Sequence, residues 1–444
     1  MINITVKNGH DLRITGKPED RIESLKRPET LGVLPEHIPF VKPRLRVTTG
    51  QKVKLGEPLF EDKRDTSLIF PSPGGGEIEK ITYGKRRVIR EIVIRLDETE
   101  DVLAYTGVSK KQLDTMARET LVEHLVKGGV WPFVRELPFR DIANRKSIPA
   151  SVILSMNSKD CFLPAPMVYL DGREDLFEYG MTMLGKLAGK VHVMVAHNGE
   201  GLPAWAEKHV THLVKGSYPA DDPGVLLYHT KISSEENRAY YLTGQDLLFM
   251  ASFLKEGRLP THRVMAVGGP KATDKRHVLA RVGSPVRDLA PESGEGLSLV
   301  SGGLLRGYKV SRDSFMGLYG NALTLLDAGD QETFFGFLRP GYRQASFTRT
   351  FLSVFNPSGM AMDSGMHGEE RACVNCSSCV SVCPVDILPQ FTYKSIHADE
   401  IEEALAHGLL DCVECGLCSY VCPSKIELTE RFKTVKANYY KERA

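Results

Sequence analysis

The sequence lacks the features that would assign it to a secreted, membrane-spanning or nucleic-acid-binding class. Its first residues, MINITVKNGHDLRITG, contain no apolar segment of the kind found in a secretory signal peptide. No run of about eighteen apolar residues occurs, so we expect no helix that spans a bilayer. The formal net charge is only +1, which provides no electrostatic basis for binding nucleic acid.

A glycine-rich phosphate loop is also missing. Neither G-x-G-x-x-G nor a Walker A pattern occurs, although dinucleotide and flavin sites commonly place such a turn at a helix N-terminus. The nearest stretch is KGGVWPFVRE at 127–136, where Gly128 and Gly129 are followed by Trp131 and Pro132. An indole and a proline ring would obstruct a pyrophosphate, so the sequence argues against bound FMN or another nucleotide here.

Cysteine, in contrast, is abundant near the end of the chain. Eight of the nine cysteines lie in CVNCSSCVSVCP at 373–384 and in CVECGLCSYVCP, which begins at Cys412. Disulfides belong mainly to small exported domains, so thiolates that hold metal fit this long chain better. The solitary Cys161 is interpreted as a plain buried cysteine.

Both cysteine phrases read C-x2-C-x2-C-x3-C-P, the pattern of ferredoxins in which the fourth cysteine of each motif binds the other motif's cluster. The pattern predicts two 4Fe–4S clusters that relay single electrons. Zinc is the alternative, but zinc sites usually combine C-x2-C pairs with four ligands per ion. The predicted ligands are Cys373, Cys376, Cys379 and Cys422 for cluster 1, and Cys412, Cys415, Cys418 and Cys383 for cluster 2.

Two segments beside these motifs are expected to be helical. SIHADEIEEALAHG, residues 395–408, has an apolar face and ends at Gly408. After the second motif, Ser424 and Glu427 have the spacing of a capping box and precede a basic helix. We expect a solvated basic face, with docking to a partner or to anionic lipid as the alternative. Its basic residues are Arg431, Lys433, Lys436, Lys441 and Arg443.

The N-terminal residues 1–100 predict a barrel-sandwich hybrid domain that resembles the lipoyl and biotinyl domains. Lys63 lies near the place of a swinging-arm lysine. We interpret it as an unmodified surface lysine, because the rest of the chain gives no sign of acyl or carboxyl transfer. The resemblance rests on G-x-x-V-x-x-G-x-x-L at Gly50, Val53, Gly56 and Leu59, and on SP-x-x-G-x-I at Ser72, Pro73, Gly76 and Ile78.

The rest of the chain completes a multidomain α+β fold. Continuous apolar runs at 150–156 and 191–197 predict buried parallel strands in a Rossmann-like α/β domain over 101–258. Within it, Thr243 and Asp246 have capping-box spacing at the start of a helix. Residues 259–330 predict a small β-grasp-like (SLBB) module. The C-terminal region, 331–444, would contain a ferredoxin-like 4Fe–4S dicluster domain at about 363–432.

This order of domains resembles two related families over essentially the whole chain. They are NqrA of the sodium-translocating NADH:quinone reductase and RnfC of the Rnf complex. Two complete cysteine motifs are similar to RnfC, since NqrA ordinarily keeps only a remnant like CSYVCPSK. The stretches similar to NqrA are LFEDKRDTSLIFPSPGGGEIEKI, GVWPFVRELPFRDI, GSYPADDPGVLLYHT and ETFFGFLRPGYRQASFTRT.

The resemblance implies a peripheral subunit on the cytoplasmic side of an ion-translocating membrane complex of the Nqr or Rnf type. Its partners would be the other subunits and a quinone, and electrons would enter through the clusters. The sequence identifies no catalytic residue and no quinone ligand. Two alternatives stay open: a flavin-bearing NADH dehydrogenase subunit of the Rnf type, and a non-catalytic scaffold held together by zinc.

Overall fold

The structure is a computed structural model that describes residues 1–197, 201–233, 237–291, 294–329, 335, 338, 340–342, 345–347 and 351–443. Most of ETFFGFLRPGYRQASFTRT, one of the stretches behind the family resemblance, therefore lies outside the described residues. None of the described helices is both long enough and apolar enough to cross a membrane.

The described residues form twenty β-strands. In chain order they are β1 (Ile2–Thr5), β2 (Ile22–Ser24), β3 (Thr30–Val33), β4 (Pro43–Leu45), β5 (Lys52–Val53), β6 (Pro58–Asp62), β7 (Asp65–Pro71), β8 (Gly76–Tyr83), β9 (Ile89–Leu96), β10 (Arg135–Glu136), β11 (Asp141–Ile142), β12 (Val152–Ser155), β13 (Val191–Ala196), β14 (His212–Lys215), β15 (Tyr240–Thr243), β16 (His262–Gly268), β17 (Arg276–Arg281), β18 (Leu297–Ser301), β19 (Tyr308–Val310) and β20 (Ala322–Asp327).

The same residues form thirteen α-helices. They are α1 (Lys110–Thr115), α2 (Arg118–Lys127), α3 (Pro166–Tyr169), α4 (Glu174–Leu187), α5 (Ala204–Glu207), α6 (Pro223–Thr230), α7 (Gly244–Glu256), α8 (Val286–Leu289), α9 (Ser378–Ser381), α10 (Pro389–His397), α11 (Ile401–Ala406), α12 (Leu417–Tyr420) and α13 (Leu428–Arg443).

The N-terminal barrel is built from two antiparallel sheets, in the orders β3-β9-β8-β5 and β4-β6-β7. Leu59 and Ile78 from the predicted motif are buried between them. Gly50 and Gly56 have φ angles of 83° and 86°, a conformation that favours glycine because it has no Cβ. Lys63 is exposed in the turn that joins β6 to β7.

The α/β domain contains a seven-stranded sheet in the order β1-β14-β13-β12-β15-β10-β11. Five adjacent strands, β1, β14, β13, β12 and β15, run parallel to one another. β10 and β11 continue the sheet beyond β15 in antiparallel pairing. The two apolar runs correspond to β12 and β13, which pair in parallel as predicted. The predicted capping box is also present, since the Thr243 hydroxyl accepts from the Asp246 N–H and the Asp246 carboxylate accepts from the Thr243 N–H.

Two strands from the first 24 residues pair outside the barrel. β1 lies parallel to β14, with Ile2 opposite His212, at the edge of the α/β sheet. β2 lies parallel to β17, with Ile22 opposite His277, at the edge of the β module. That module is a six-stranded sheet in the order β19-β18-β20-β16-β17-β2. The chain thus contributes to the α/β sheet and to the β module before it reaches the first strand of the barrel.

The prediction of one continuous helix over 395–408 is wrong. α10 ends at His397 and α11 begins at Ile401, with Asp399 between them at a φ angle of 58°. A left-handed residue cannot continue a right-handed helix, so the chain turns there. Gly408 has a φ angle of 91° after α11, as expected for a glycine beyond a helix C-terminus.

The capping box predicted at Ser424 and Glu427 is also wrong. α13 begins at Leu428, immediately after Glu427, so Ser424 lies too far upstream to cap it. The Ser424 hydroxyl instead donates to the carbonyl of Ala372 (2.9 Å). This bond ties the end of the second cysteine motif to the start of the first.

Candidate functional site

The two cysteine motifs fold into two copies of one unit, which we call repeat 1 (residues 373–397) and repeat 2 (residues 412–443). In each repeat a short helix, α9 or α12, contains the third cysteine, and a longer helix, α10 or α13, begins after the Cys-Pro pair. Left-handed residues also occur at matching positions, which shows that the two loops wind in the same way. The matching pairs, with their φ angles, are Asn375 and Glu414 (55° and 55°), Ser377 and Gly416 (60° and 85°), and Asp386 and Lys425 (48° and 58°).

The eight cysteines of the repeats surround two neighbouring cavities. One cavity is lined by Cys373, Cys376, Cys379 and Cys422. The other is lined by Cys412, Cys415, Cys418 and Cys383, and Cys379 also contributes to its wall. Each cavity therefore gathers three cysteines from one repeat and the fourth from the other.

Four thiols around each cavity are the donor set that a 4Fe–4S cluster requires. The cysteine side chains are distributed around the walls of the two cavities. The residues present therefore fit a polynuclear cluster in each cavity.

The cavity predicted to hold cluster 2 is lined by apolar side chains. Val385, Leu417 and Phe432 line it and are buried. Burial raises the pKa of Cys383 and of Cys415 to about 12 in the chain without metal. Metal binding would therefore have to displace protons from these thiols, because the thiolate is the ligand form.

Repeat 1 is more open to solvent. Cys376 is exposed, and its neighbour Val374 is 67% exposed. A hydrogen bond between the Cys376 thiol and the Ser378 hydroxyl (3.4 Å) lowers the pKa of that thiol. The third cysteine is more protected: Cys379 is buried and its Sγ lies 3.6 Å from Gln390 Oε1.

The loop of repeat 2 is held by side chains from outside the motif. Lys436 Nζ donates to the carbonyl of Cys412 (2.9 Å). Arg140 donates to the carbonyl of Val413 (3.0 Å), and the Tyr218 hydroxyl donates to the carbonyl of Cys415 (2.7 Å). Arg140 and Tyr218 belong to the α/β domain, so this domain packs against the repeat 2 loop.

The solvated basic face predicted for α13 is wrong at one position. Arg431, Lys441 and Arg443 are exposed, but Lys436 is only 2% exposed. α13 packs in the C-terminal region through the buried Phe432, and Lys436 follows one turn later on the same side. A buried ammonium is retained only where acceptors surround it, and Lys436 has three such acceptors.

Behind the repeat 2 loop lies a network of charged groups around the buried Asp222, which the sequence analysis missed. Asp222 accepts from Arg140 (2.8 Å) and pairs with Arg306 (2.9 Å). Burial alone would raise the pKa of Asp222, but Arg140 and Arg306 hold it below its ordinary value. Arg306 Nε also donates to the Tyr218 hydroxyl (3.0 Å). Arg140 and Asp222 lie within two of the stretches similar to NqrA, which was the available sequence signal.

Gly128 and Gly129, the glycines nearest to a phosphate-loop pattern, allow neighbouring residues to pack closely against the backbone. A Cβ added at Gly128 would lie 1.8 Å from the ring of Phe253, and one at Gly129 would lie 2.5 Å from Pro71. Trp131 is fully buried, and its Nε1 donates to the carbonyl of Ala143 (2.8 Å). This stretch therefore fills the space between α7 and the barrel.

Comparison with known proteins identifies three regions of the chain. Residues 4–97 match the NqrA N-terminal barrel-sandwich hybrid domain, and residues 116–259 match the NqrA second alpha/beta domain. Residues 372–426 match a 4Fe-4S dicluster domain. These matches confirm the predicted barrel-sandwich domain, α/β domain and iron–sulfur-type C-terminal domain.

Known NqrA proteins are similar in sequence to almost the whole chain. NqrA of the Na(+)-translocating NADH-quinone reductase of Rhodopirellula baltica is 30% identical over 414 residues, which cover 91% of each chain. The NqrA of Pseudomonas aeruginosa is 31% identical, with 92% of each chain covered. Two solved structures of NAD+-reducing [NiFe]-hydrogenase are distantly similar. The air-oxidized form has a TM-score of 0.33 at 13% identity and covers 52% of each chain. The H2-reduced form has a TM-score of 0.35 at 12% identity and covers 74% of this chain and 67% of its own, and neither similarity is close enough to support an argument. The chain belongs to the NqrA family of the Na(+)-translocating NADH-quinone reductase.

Proposed function

We propose that the chain is a peripheral electron-transfer subunit of a membrane-bound, Na+-translocating NADH:quinone oxidoreductase complex, and that it relays single electrons through two 4Fe–4S clusters. The observation that carries this proposal is the pair of adjacent cavities, each lined by four cysteines with an exchanged fourth member. The matching dicluster domain over 372–426 supports the same conclusion.

The bound clusters would accept and release one electron at a time. The cysteine thiolates would anchor the irons, with Cys422 tying repeat 2 to cluster 1 and Cys383 tying repeat 1 to cluster 2. This exchange keeps the clusters close, because neither repeat can move away without losing a ligand. The apolar side chains around cluster 2 would exclude water. A one-electron relay makes and breaks no covalent bond, so no general acid or base is required.

The partners in this proposal come from the family. The relatives are named as subunits of an NADH-quinone reductase, so we infer the other subunits of such a complex and a quinone as partners, on the cytoplasmic side of the membrane. We infer that FMN is not bound at Gly128–Gly129, because that stretch is packed against Phe253 and Pro71. The lipoyl-like, Rossmann-like, β-grasp-like and ferredoxin-like assignments of the four predicted domains belong to the same proposal.

The first test is the metal content of the chain purified without oxygen. We expect a brown protein with iron and acid-labile sulfide sufficient for two 4Fe–4S clusters, and EPR signals after reduction. A colourless protein that contains zinc would contradict the proposal and support a scaffold. Bound flavin that NADH bleaches would support an Rnf-type dehydrogenase subunit instead.

The exchanged ligands can be tested with cysteine-to-serine variants. A variant lacking Cys412, Cys415 and Cys418 should keep cluster 1 alone. On that background, Cys422→Ser should abolish the remaining EPR signal, whereas Cys383→Ser should leave it unchanged. The opposite result would show that each repeat binds its own cluster with all four cysteines. Cys161→Ser is the matched control, since Cys161 lines neither cavity.

A further inference from the structure

Lys436 distinguishes the two repeats, although a two-cluster relay does not in itself need it. Its side chain is 2% exposed, and its ammonium has three acceptors: the carbonyl of Cys412 (2.9 Å), the carbonyl of Pro138 (3.1 Å) and Glu414 Oε1 (2.7 Å). The equivalent position in repeat 1 is His397, which is exposed. Burial of an ammonium costs several kcal/mol before its partners offset the cost, so the side chain is not a neutral filler.

The three acceptors of Lys436 belong to different parts of the molecule. Cys412 and Glu414 lie in the repeat 2 loop, whereas Pro138 lies in the α/β domain. An ammonium has three N–H donors, and all three are used here. Lys436 therefore joins α13, the repeat 2 loop and the α/β domain at one point. Loss of the ammonium would remove its bonds to the loop at Cys412 and Glu414 and its bond to the α/β domain at Pro138 at once.

The charges around the repeat 2 loop come from two cations bonded to it and their carboxylate partners. Lys436 pairs with Glu414, while Arg140 pairs with Asp222 and also donates to the carbonyl of Val413. Lys436 Nζ is bonded directly to the carbonyl of Cys412 (2.9 Å), so the positive end of the Lys436–Glu414 pair lies against this cysteine.

The loop of repeat 1 has a different electrostatic setting. Lys394 contacts it by donating to the Oδ1 of Asn375 (2.9 Å), but Lys394 is exposed. Water and salt screen an exposed charge far more than a buried one, so its effect on a neighbouring cluster is small. The two loops thus have the same backbone conformation, but a buried lysine contacts the loop of repeat 2 and an exposed lysine contacts the loop of repeat 1.

We propose that Lys436 is a positioning residue for cluster 2 and that its fixed positive charge raises the reduction potential of that cluster. The inference rests on the proposed function. Reduction transfers one electron from a one-electron donor to the cluster and makes its charge more negative by one. A nearby buried cation stabilises the reduced form more than the oxidised form. No bond is made or broken in this step.

The experiment isolates cluster 2 in the full-length chain. Serine in place of Cys373, Cys376 and Cys379 removes cluster 1, so that the remaining EPR signal belongs to cluster 2. On this background, Lys436→Met should lower the ratio of reduced to oxidised cluster at a fixed potential by about tenfold, which corresponds to ~59 mV for one electron. Lys441→Met, which changes an exposed lysine of the same helix, should leave the ratio within about twofold.

A second variant keeps the inference testable if Lys436→Met loses its cluster. Glu414→Gln preserves size and removes the negative partner, so the potential of cluster 2 should rise. An unchanged potential in Lys436→Met, or a fall in Glu414→Gln, would overturn the inference. So would an equal shift of cluster 1, measured in the chain that lacks Cys412, Cys415 and Cys418. Loss of cluster 2 alone in Lys436→Met would support the positioning role. Absence of iron from the unaltered chain would instead contradict the proposed function.

Discussion

Repeat 1 is open to solvent at Cys376, whereas repeat 2 is enclosed by the α/β domain, with Cys415 only 8% exposed. Their backbones match at every left-handed residue within the motifs, and their helices begin at equivalent positions. The comparison shows that the cysteine spacing determines the loop, while the surrounding domains determine access and charge. Two sites built from one motif can therefore differ in reactivity and in reduction potential.

The largest expected difference between the repeats is the rate of thiol alkylation after the iron is removed. Cys376 is exposed and has a lowered pKa, whereas Cys415 is buried with a pKa of about 12. At pH 8 we expect iodoacetamide to modify Cys376 on the order of 10³ times faster, because only the thiolate reacts. Peptide mass mapping over time would measure both rates. Equal rates would mean that repeat 2 opens when its cluster is absent.

The next comparison exchanges Ser377 of repeat 1 and Gly416 of repeat 2, which have positive φ angles at matching positions. A Cβ at Gly416 would lie 2.8 Å from the carbonyl oxygen of Leu305, so Gly416→Ser should cost about 2–4 kcal/mol in the free energy of unfolding of the C-terminal region. Ser377→Gly, the reciprocal change in repeat 1, should stay within about 1 kcal/mol. Loss of visible absorbance in urea would report both values. Equal effects would contradict a tighter fit around repeat 2.

The smallest effect on stability is expected when a single hydroxyl, that of Tyr218, is removed. Tyr218→Phe leaves the carbonyl of Cys415 and Arg306 Nε without that partner, which should destabilise cluster 2 by about 1–3 kcal/mol. Lys394→Met removes an exposed contact to repeat 1 and should cost less than about 0.5 kcal/mol. The rate of iron release to a chelator would compare the two. A similar rate in both variants would show that Tyr218 does not hold the loop.

Features encoded by local spacing could be predicted from the sequence. The apolar runs predicted β12 and β13, and the Thr243–Asp246 spacing predicted a helix start. Each of these depends on residues close together in the chain. The break at Asp399 was missed because its φ angle of 58° interrupts a stretch with good helical periodicity.

Features that depend on distant partners could not be predicted in this way. The positions of β1 and β2 follow from edges supplied by β14 and β17, far along the chain. The burial of Lys436 follows from the face of α13 that meets the repeat 2 loop and Pro138. A basic helix read alone gives no indication of which lysine faces inward, because helical periodicity alone cannot identify the neighbouring domain.

The pairing of β1 with β14 has a consequence for the newly made chain. Ile2 leaves the ribosome early, but its partner His212 is not yet synthesised. At typical elongation rates the wait is about 10–40 s, during which β1 has no strand to pair with. The barrel can close in that interval, whereas the α/β sheet gains its outer strand only after β14 has been synthesised, near the middle of the chain. Completion of that sheet is therefore timed by translation as well as by the intrinsic speed of folding.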